Sequence, residues 1–303
     1  MTGNSTYCGF VAIVGRPNVG KSTLLNQLVG EKISITSSKP HTTQNCIMGI
    51  YNKEEYQTIY IDTPGWCIKK KHIIHNVMQH HVMSAISDST LVLFMIEGLN
   101  WTFADQEIIK NLQNKKLVLL VINKIDTVLN KSLLLSYLEY LDKKRNFIGI
   151  VPISAKTRNN IKIINNIIRQ YLPQEKLFFQ KKCVTNCSPV FIVSEIIREK
   201  IIRNFGAELP YSVVVNVEKF TINTSNILII HALILVSNQG QKKIIIGSHG
   251  NKIKIIGILA RQDIEKIFKR KVCLKSWIKI KPNIAENLSI SSPLEYNYDT
   301  FLR

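Results

Sequence analysis

Along the first half of the chain, short and almost wholly apolar runs alternate with stretches whose apolar residues recur every three or four positions. Residues 10–14, 91–96, 117–122 and 147–153 are apolar runs rich in Val, Ile, Leu and Phe, the pattern of strands buried on both faces. Residues 46–51 and 56–61 read as two further strands joined through 52–55. Residues 21–29 put Leu24, Leu25 and Leu28 on one stripe, and 71–87 and 104–111 read as further helices. In 160–172, Ile161, Ile164, Ile168 and Leu172 share a face, and Pro173 ends the helix. This alternation predicts an α/β fold for residues 1–173, a doubly wound and mostly parallel sheet, with ligands at the C-terminal ends of its strands.

The pattern then changes. Residues 174–189, with Lys181 and Lys182 among them, lack periodicity and read as a linker. Beyond it, a helix over 189–205, strands over 211–220 and 227–236, a helix over 251–269 and a strand over 272–281 alternating about Trp277 predict an α+β domain at 190–283. The tail, 284–303, matches no recognised pattern.

Composition narrows the class of partner. The formal charge is +19, which points to a polyanion, either nucleic acid or an acidic membrane surface. Richness in Ile, Lys and Asn is also the mark of AT-rich coding, so distribution says more than the total. Residues 241–281 are steeply basic, with only Asp263 and Glu265 opposing, as a binding surface requires. Cys8, Cys46, Cys67, Cys183, Cys187 and Cys273 form no CxxC pair and read as free thiols in a reducing cytoplasm. The start of the chain has no signal-peptide pattern, and no apolar run reaches the ~18 to 20 residues that span a bilayer, so a soluble or at most peripheral protein is expected. His72, His75, His80 and His81 lack a carboxylate to complete a metal set and read as a solvated helix face.

Chemistry is concentrated at the predicted strand ends. Gly15-Arg16-Pro17-Asn18-Val19-Gly20-Lys21-Ser22 lies between the first strand and the first helix, the context of a phosphate-binding P-loop. Backbone N–H groups there would cradle phosphate, Lys21 would neutralise its outer oxygens, and Ser22 would hold Mg²⁺. The polar loop 33–44 is expected to be flexible. Asp62-Thr63-Pro64-Gly65 ends a strand: the Asp can hold Mg²⁺ and the glycine N–H can reach a γ-phosphate, so the segment can sense that phosphate. Asn123-Lys124-Ile125-Asp126 selects the base, because the Asp126 carboxylate can accept from the N1–H and 2-amino group of guanine, donors that adenine lacks there. Asn123 would tie this loop to the P-loop, the Lys124 stem would lie along the purine, and in Ser154-Ala155-Lys156 the Ala155 N–H could bond the guanine carbonyl. Trp66 stands where Ras-like proteins carry a water-orienting glutamine, so slow intrinsic hydrolysis is expected.

In the second domain, Gly247-Ser248-His249-Gly250 precedes a basic helix bearing Lys252, Lys254 and Arg261. A GxxG turn in an α/β module is what KH domains use to clamp single-stranded RNA.

Together these stretches resemble the Era family of bacterial GTPases, from about Cys8 to Pro282. They are GRPNVGKS, SITSSKPHTTQN, DTPG, NKID, ISAK, VSEIIREKIIRNFGAELPYSVVV and IIIGSHGNKIKIIGILARQDIEKIF, of which the last two are the most specific. The resemblance implies a GTP/GDP-binding domain and a type II KH domain that binds the 3′ end of small-subunit ribosomal RNA, not DNA, during small-subunit assembly. It further implies a monomer, peripheral association with the inner membrane, a switch threonine on Mg²⁺ (Thr42 or Thr43, with Thr43 favoured) and K⁺ beside Asn18. The readings set against this are a GTPase whose basic patch meets anionic lipid and an RNA-binding factor with little turnover. The basic linker about Lys181 to Cys187 departs from the acidic segment expected of the family, as does the tail.

Overall fold

In the computed structural model, the described residues are 5–37, 43, 45–66, 73–115, 117–130, 132–205 and 213–282. They divide into two units, the second beginning at Val193 apart from a short piece within 69–77.

The first unit is built on a six-stranded sheet in the order β2-β3-β1-β4-β5-β6, with β1 Tyr7–Gly15, β2 Ile47–Lys53, β3 Tyr56–Asp62, β4 Leu91–Glu97, β5 Val118–Asn123 and β6 Gly149–Pro152. Only β2, hairpinned to β3, runs antiparallel. Central β1 lies parallel to both β3 and β4, so its C-terminal end and theirs open on one edge of the sheet. The connections between strands carry α1 Lys21–Val29, α2 Ile73–Asp88, α3 Phe103–Asn111 and α4 Ser132–Asp142, and α5 Ile161–Arg169 follows β6. Leu24, Leu25 and Leu28 of α1 and Ile161, Ile164 and Ile168 of α5 share one core with Val11, Ile13, Leu93 and Val121 of the strands.

The segment expected to be a linker is instead laid along the hairpin. Ile50 donates its N–H to the Val184 carbonyl at 2.8 Å, Thr185 Oγ1 donates to the Met48 carbonyl at 2.7 Å, and the Gln57 side chain bonds the Phe179 backbone at both ends. These bonds satisfy the open side of edge strand β2, which explains an ordered path without periodicity.

The second unit places β7 Val214–Ile222, β8 Leu228–Val236 and β9 Val272–Ile280 in one sheet, β8 in the middle, antiparallel to β7 and parallel to β9. Its helices are α6 Pro189–Asn204, α7 Gln239–Ile246 and α8 Asn251–Phe268. The helix, two strands, two helices and strand run in the order of a type II KH domain. Ile230, Ala232 and Ile234 of β8 are buried with Ile245, Ile256, Ala260 and Ile264 of the helices. No described helix is long and apolar enough to cross a membrane.

Candidate nucleotide and RNA sites

The turn from β1 to α1 is shaped by left-handed backbone at Asn18 (φ 65°) and Gly20 (φ 101°). Gly20 meets a second constraint, since a Cβ there would lie 2.2 Å from Asn123 Nδ2. That amide donates to the Val19 carbonyl at 2.7 Å, while Asn123 Oδ1 accepts the Ala155 N–H at 2.9 Å. One side chain thus joins the P-loop, the end of β5 and the Ser154-Ala155-Lys156 turn. The Ala155 N–H, expected to face a base, serves this network. Lys21 is buried and donates to the carbonyls of Gly15 (3.1 Å) and Arg16 (2.9 Å), which folds its ammonium back over the loop.

Asp62, at the end of β3, gathers hydroxyls. Ser22 Oγ donates to its Oδ2 at 2.6 Å and Ser34 Oγ at 2.9 Å, with Thr43 Oγ1 3.5 Å away. Ser22 Oγ and Thr43 Oγ1 are themselves in hydrogen-bond contact at 2.8 Å. The other oxygen, Asp62 Oδ1, is buried without a hydrogen-bond partner among the described residues. Burial pushes the carboxyl pKa up, against the opposing influence of Lys21 and the three hydroxyls. A buried carboxylate with one oxygen unused, flanked by two further hydroxyl oxygens, is a donor set that suits a hard divalent cation. Thr42, the alternative switch threonine, lies outside the described residues.

The following residues are packed rather than open. Thr63 Oγ1 donates to the Ile13 carbonyl at 2.7 Å, Pro64 is buried, and a Cβ on Gly65 would come within 2.8 Å of the Pro17 backbone. Trp66 is buried and gives its N–H to the Gly15 carbonyl at 3.1 Å.

On the base side, Lys124 (φ 63°) starts a short 3₁₀ turn, Ile125–Thr127, that leaves Asp126 exposed. Lys124 Nζ pairs with Glu97 Oε1 at 2.8 Å, fixing the direction of its stem, and the Ile125 N–H bonds the Ile153 carbonyl. Arg16 is turned aside from the loop: its Nε donates to Asp105 Oδ1 at 2.8 Å and its guanidinium also reaches the Asn100 carbonyl. Asp105 is fully buried and forms the capping box of α3 with Thr102.

Sequence reasoning missed Ser34, Asn26 and Asp105. Asn26 accepts the N–H groups of Ile33 and Ser34, which pins the start of the loop expected to be flexible. The apolar-polar-apolar triplet Ile33-Ser34-Ile35, two buried isoleucines around a buried hydroxyl, was the available signal.

In the second unit the GxxG turn lies between α7 and α8. Gly247 (φ 70°, ψ −179°) and Gly250 (φ 74°) take conformations closed to most residues, and even His249 is left-handed at φ 48°. Ser248, His249, Lys252, Lys254 and Arg261 are all exposed. Lys252 lies over the Phe205 ring at 5.2 Å, with its stem against Gly247. Ile244, Ile255 and Ile258 add exposed apolar surface on the same two helices.

This fold and these sites define a P-loop GTPase domain joined to a KH domain. A family model described as 50S ribosome-binding GTPase matches residues 10–124, and one described as KH domain matches 208–284. GTPase Era of Yersinia enterocolitica is 48% identical over 295 residues, covering 97% of each chain, and GTPase Era of Yersinia pestis matches to the same extent. Among solved structures, a single-residue variant of Aquifex aeolicus Era bound to GDP·AlF4⁻ superposes with a TM-score of 0.88 at 36% identity, covering 92% of this chain and 95% of that one. An Era structure in complex with MgGDPNP and nucleotides 1506–1542 of 16S ribosomal RNA gives 0.88 at 35% identity, covering 98% of each. The chain belongs to the Era family of GTPases.

Proposed function

We propose that this protein binds guanine nucleotide with Mg²⁺, hydrolyses GTP, and clamps the 3′ end of small-subunit ribosomal RNA through its GxxG turn in small-subunit assembly. The observation that carries the nucleotide half is the convergence of Ser22, Thr43 and Asp62, with Asp62 Oδ1 buried and unbonded among the described residues. These three residues would hold Mg²⁺, which when bound supplies charge neutralisation to the phosphate oxygens. Lys21 and the N–H groups of the loop bind phosphate, and Gly65 brings its backbone against the P-loop where a γ-phosphate would be sensed. Asp126, exposed at the end of its turn, accepts from the guanine edge. Trp66, buried and with its backbone N–H occupied, offers no side-chain base to orient water at the position after Gly65, so intrinsic turnover is slow. The family resemblance supports K⁺ beside Asn18 as an accelerator.

The RNA half rests on the exposed GxxG turn, the basic helix behind it and the relative solved with 16S RNA. The described cysteines are free thiols, which suits a reducing cytoplasm. Steady-state GTP hydrolysis and RNA binding by the purified full chain test both halves. Asp62→Ala should lose turnover by two orders of magnitude or more on the scale of a lost transition-state charge contact. Paired Ser248→Asp and His249→Asp should abolish RNA binding and leave hydrolysis intact. Turnover unchanged in Asp62→Ala, or RNA binding unchanged in the paired variant, contradicts the corresponding half. Equal rates in Na⁺ and K⁺ would remove the role given to Asn18.

A further inference from the structure

The outer face of the second unit's sheet has no part in the RNA clamp. Strand register sets its residues in rows across the three strands: Lys219, His231 and Lys275 in one, Asn216, Leu233 and Trp277 in the next, and Val214, Leu235 and Lys279 in the third. Side chains at alternate positions share a face, and the buried Ile230, Ala232 and Ile234 point to the opposite one, under the helices. These rows therefore face away from the GxxG helices. Glu218, exposed beside Lys219 at the register shift between Val217 and Lys219, is the one acidic residue of the three strands.

Trp277 is 40% exposed at the centre of this face, whereas Trp66 is buried. His231 meets the indole edge-on at 5.7 Å and braces it. Lys275 and Lys279 flank Trp277 along β9, all three exposed, and Lys219 lies across the sheet. An exposed aromatic between two lysines of its own strand, with Glu218 on the far edge strand, offers a stacking platform within a net positive field, the combination by which sheet surfaces hold unpaired bases. Charge complementarity thus favours RNA over an apolar or basic protein partner.

We propose that this face is a second RNA contact, where an unpaired base stacks on Trp277 and the adjoining phosphates lie on Lys275, Lys279 and Lys219. The proposal rests on the RNA-binding reading above and extends it from one groove to both sides of the domain.

Binding of the full chain to RNA of nucleotides 1506–1542 of 16S ribosomal RNA, followed by fluorescence anisotropy over a salt series, tests it. Trp277→Ala should weaken binding about tenfold, from the loss of one stacked base. Trp277→Phe, which keeps a ring, should stay within about threefold of the parent. Paired Lys275→Glu and Lys279→Glu should weaken binding and lower the salt slope by about 1.4, for two single-strand phosphates. Hydrolysis without RNA should be unchanged in all three. Parental RNA binding in both Trp277→Ala and the paired lysine variant, together with loss of binding in paired Ser248→Asp and His249→Asp, overturns the second contact and leaves the clamp standing. If the parent protein binds no RNA, the clamp falls with it.

Discussion

Arg16 shows how a motif residue can act at a distance from its motif. The P-loop sequence suggests contact with phosphate, yet the guanidinium pairs with Asp105, a carboxylate with no exposed surface, while the Arg16 carbonyl accepts from Lys21. Asp105 in turn caps α3 with Thr102, so the helix start, the loop and the lysine form one chain of bonds. Removing one partner of a buried pair strands the other. Arg16→Ala should therefore destabilise by about 3 to 5 kcal/mol, read as a lower urea midpoint, and Arg16→Ala combined with Asp105→Asn should recover part of that loss. A double variant less stable than the single one would mean that the pair is not the source of the effect. Gly65 is constrained by space, for a methyl group there would overlap the Pro17 backbone. Gly65→Ala should separate the two loops and weaken binding of a GTP analogue more than of GDP; equal effects on the two would place the overlap outside phosphate sensing.

At the scale of elements, strands buried on both faces and the motifs at their ends were legible because apolar run length and motif spacing both report the parallel sheet. Two helices were not. In α4 only Leu141 is buried, and the Leu133-Leu134-Leu135 run offers no helical stripe to read. In α7 the Ile244-Ile245-Ile246 run masks eight helical residues, although Asn238 and Gln241 carry a cap signal: the Asn238 side chain accepts the Gln241 N–H, and Gln241 Oε1 accepts from Ser237. The path of 178–185 along β2 was illegible for a different reason. It is fixed by one backbone bond to edge strand β2 and by scattered bonds of Asn52, Gln57 and Thr185 to backbone groups, which leave no periodic mark on the side-chain pattern. In the site, Ser22 and Thr43 lie beside Asp62, and Asn123 joins the P-loop to the Ala155 turn; Ser34 enters from the start of the SITSSKPHTTQN stretch, whereas Asp105 arrives from a segment without a motif. The turn between α7 and α8 depends on Gly247, whose φ and ψ are nearly closed to other residues and whose Cβ would meet Lys252 at 2.7 Å. Gly247→Ala should cost about 1 to 3 kcal/mol of strain and impair RNA binding while sparing hydrolysis; parental RNA affinity would show that the clamp does not need this backbone.

For the whole molecule, a nucleotide switch and an RNA clamp in one chain are useful only if each biases the other. Linkage then demands reciprocity: the factor by which a GTP analogue tightens RNA over GDP must equal the factor by which RNA tightens the analogue over GDP. Equal RNA affinity in the two nucleotide states would remove the coupling. The charge of +19 makes RNA binding steeply salt-dependent, so both arms of that comparison need one ionic strength. Beneath the coupling lies the choice of guanine, which the proposed function assigns to the exposed carboxylate of Asp126. An amide there would face the N1–H and 2-amino donors with a donor of its own, and would suit xanthine, which has a carbonyl at that carbon. Calorimetric titration of the purified chain and of Asp126→Asn with GDP, ADP and XDP in Mg²⁺ is the most direct test. The parent should bind GDP far more tightly than ADP or XDP, and Asp126→Asn should exchange GDP for XDP. Preference of the parent for ADP, or an unchanged preference for GDP in the variant, would contradict the assignment.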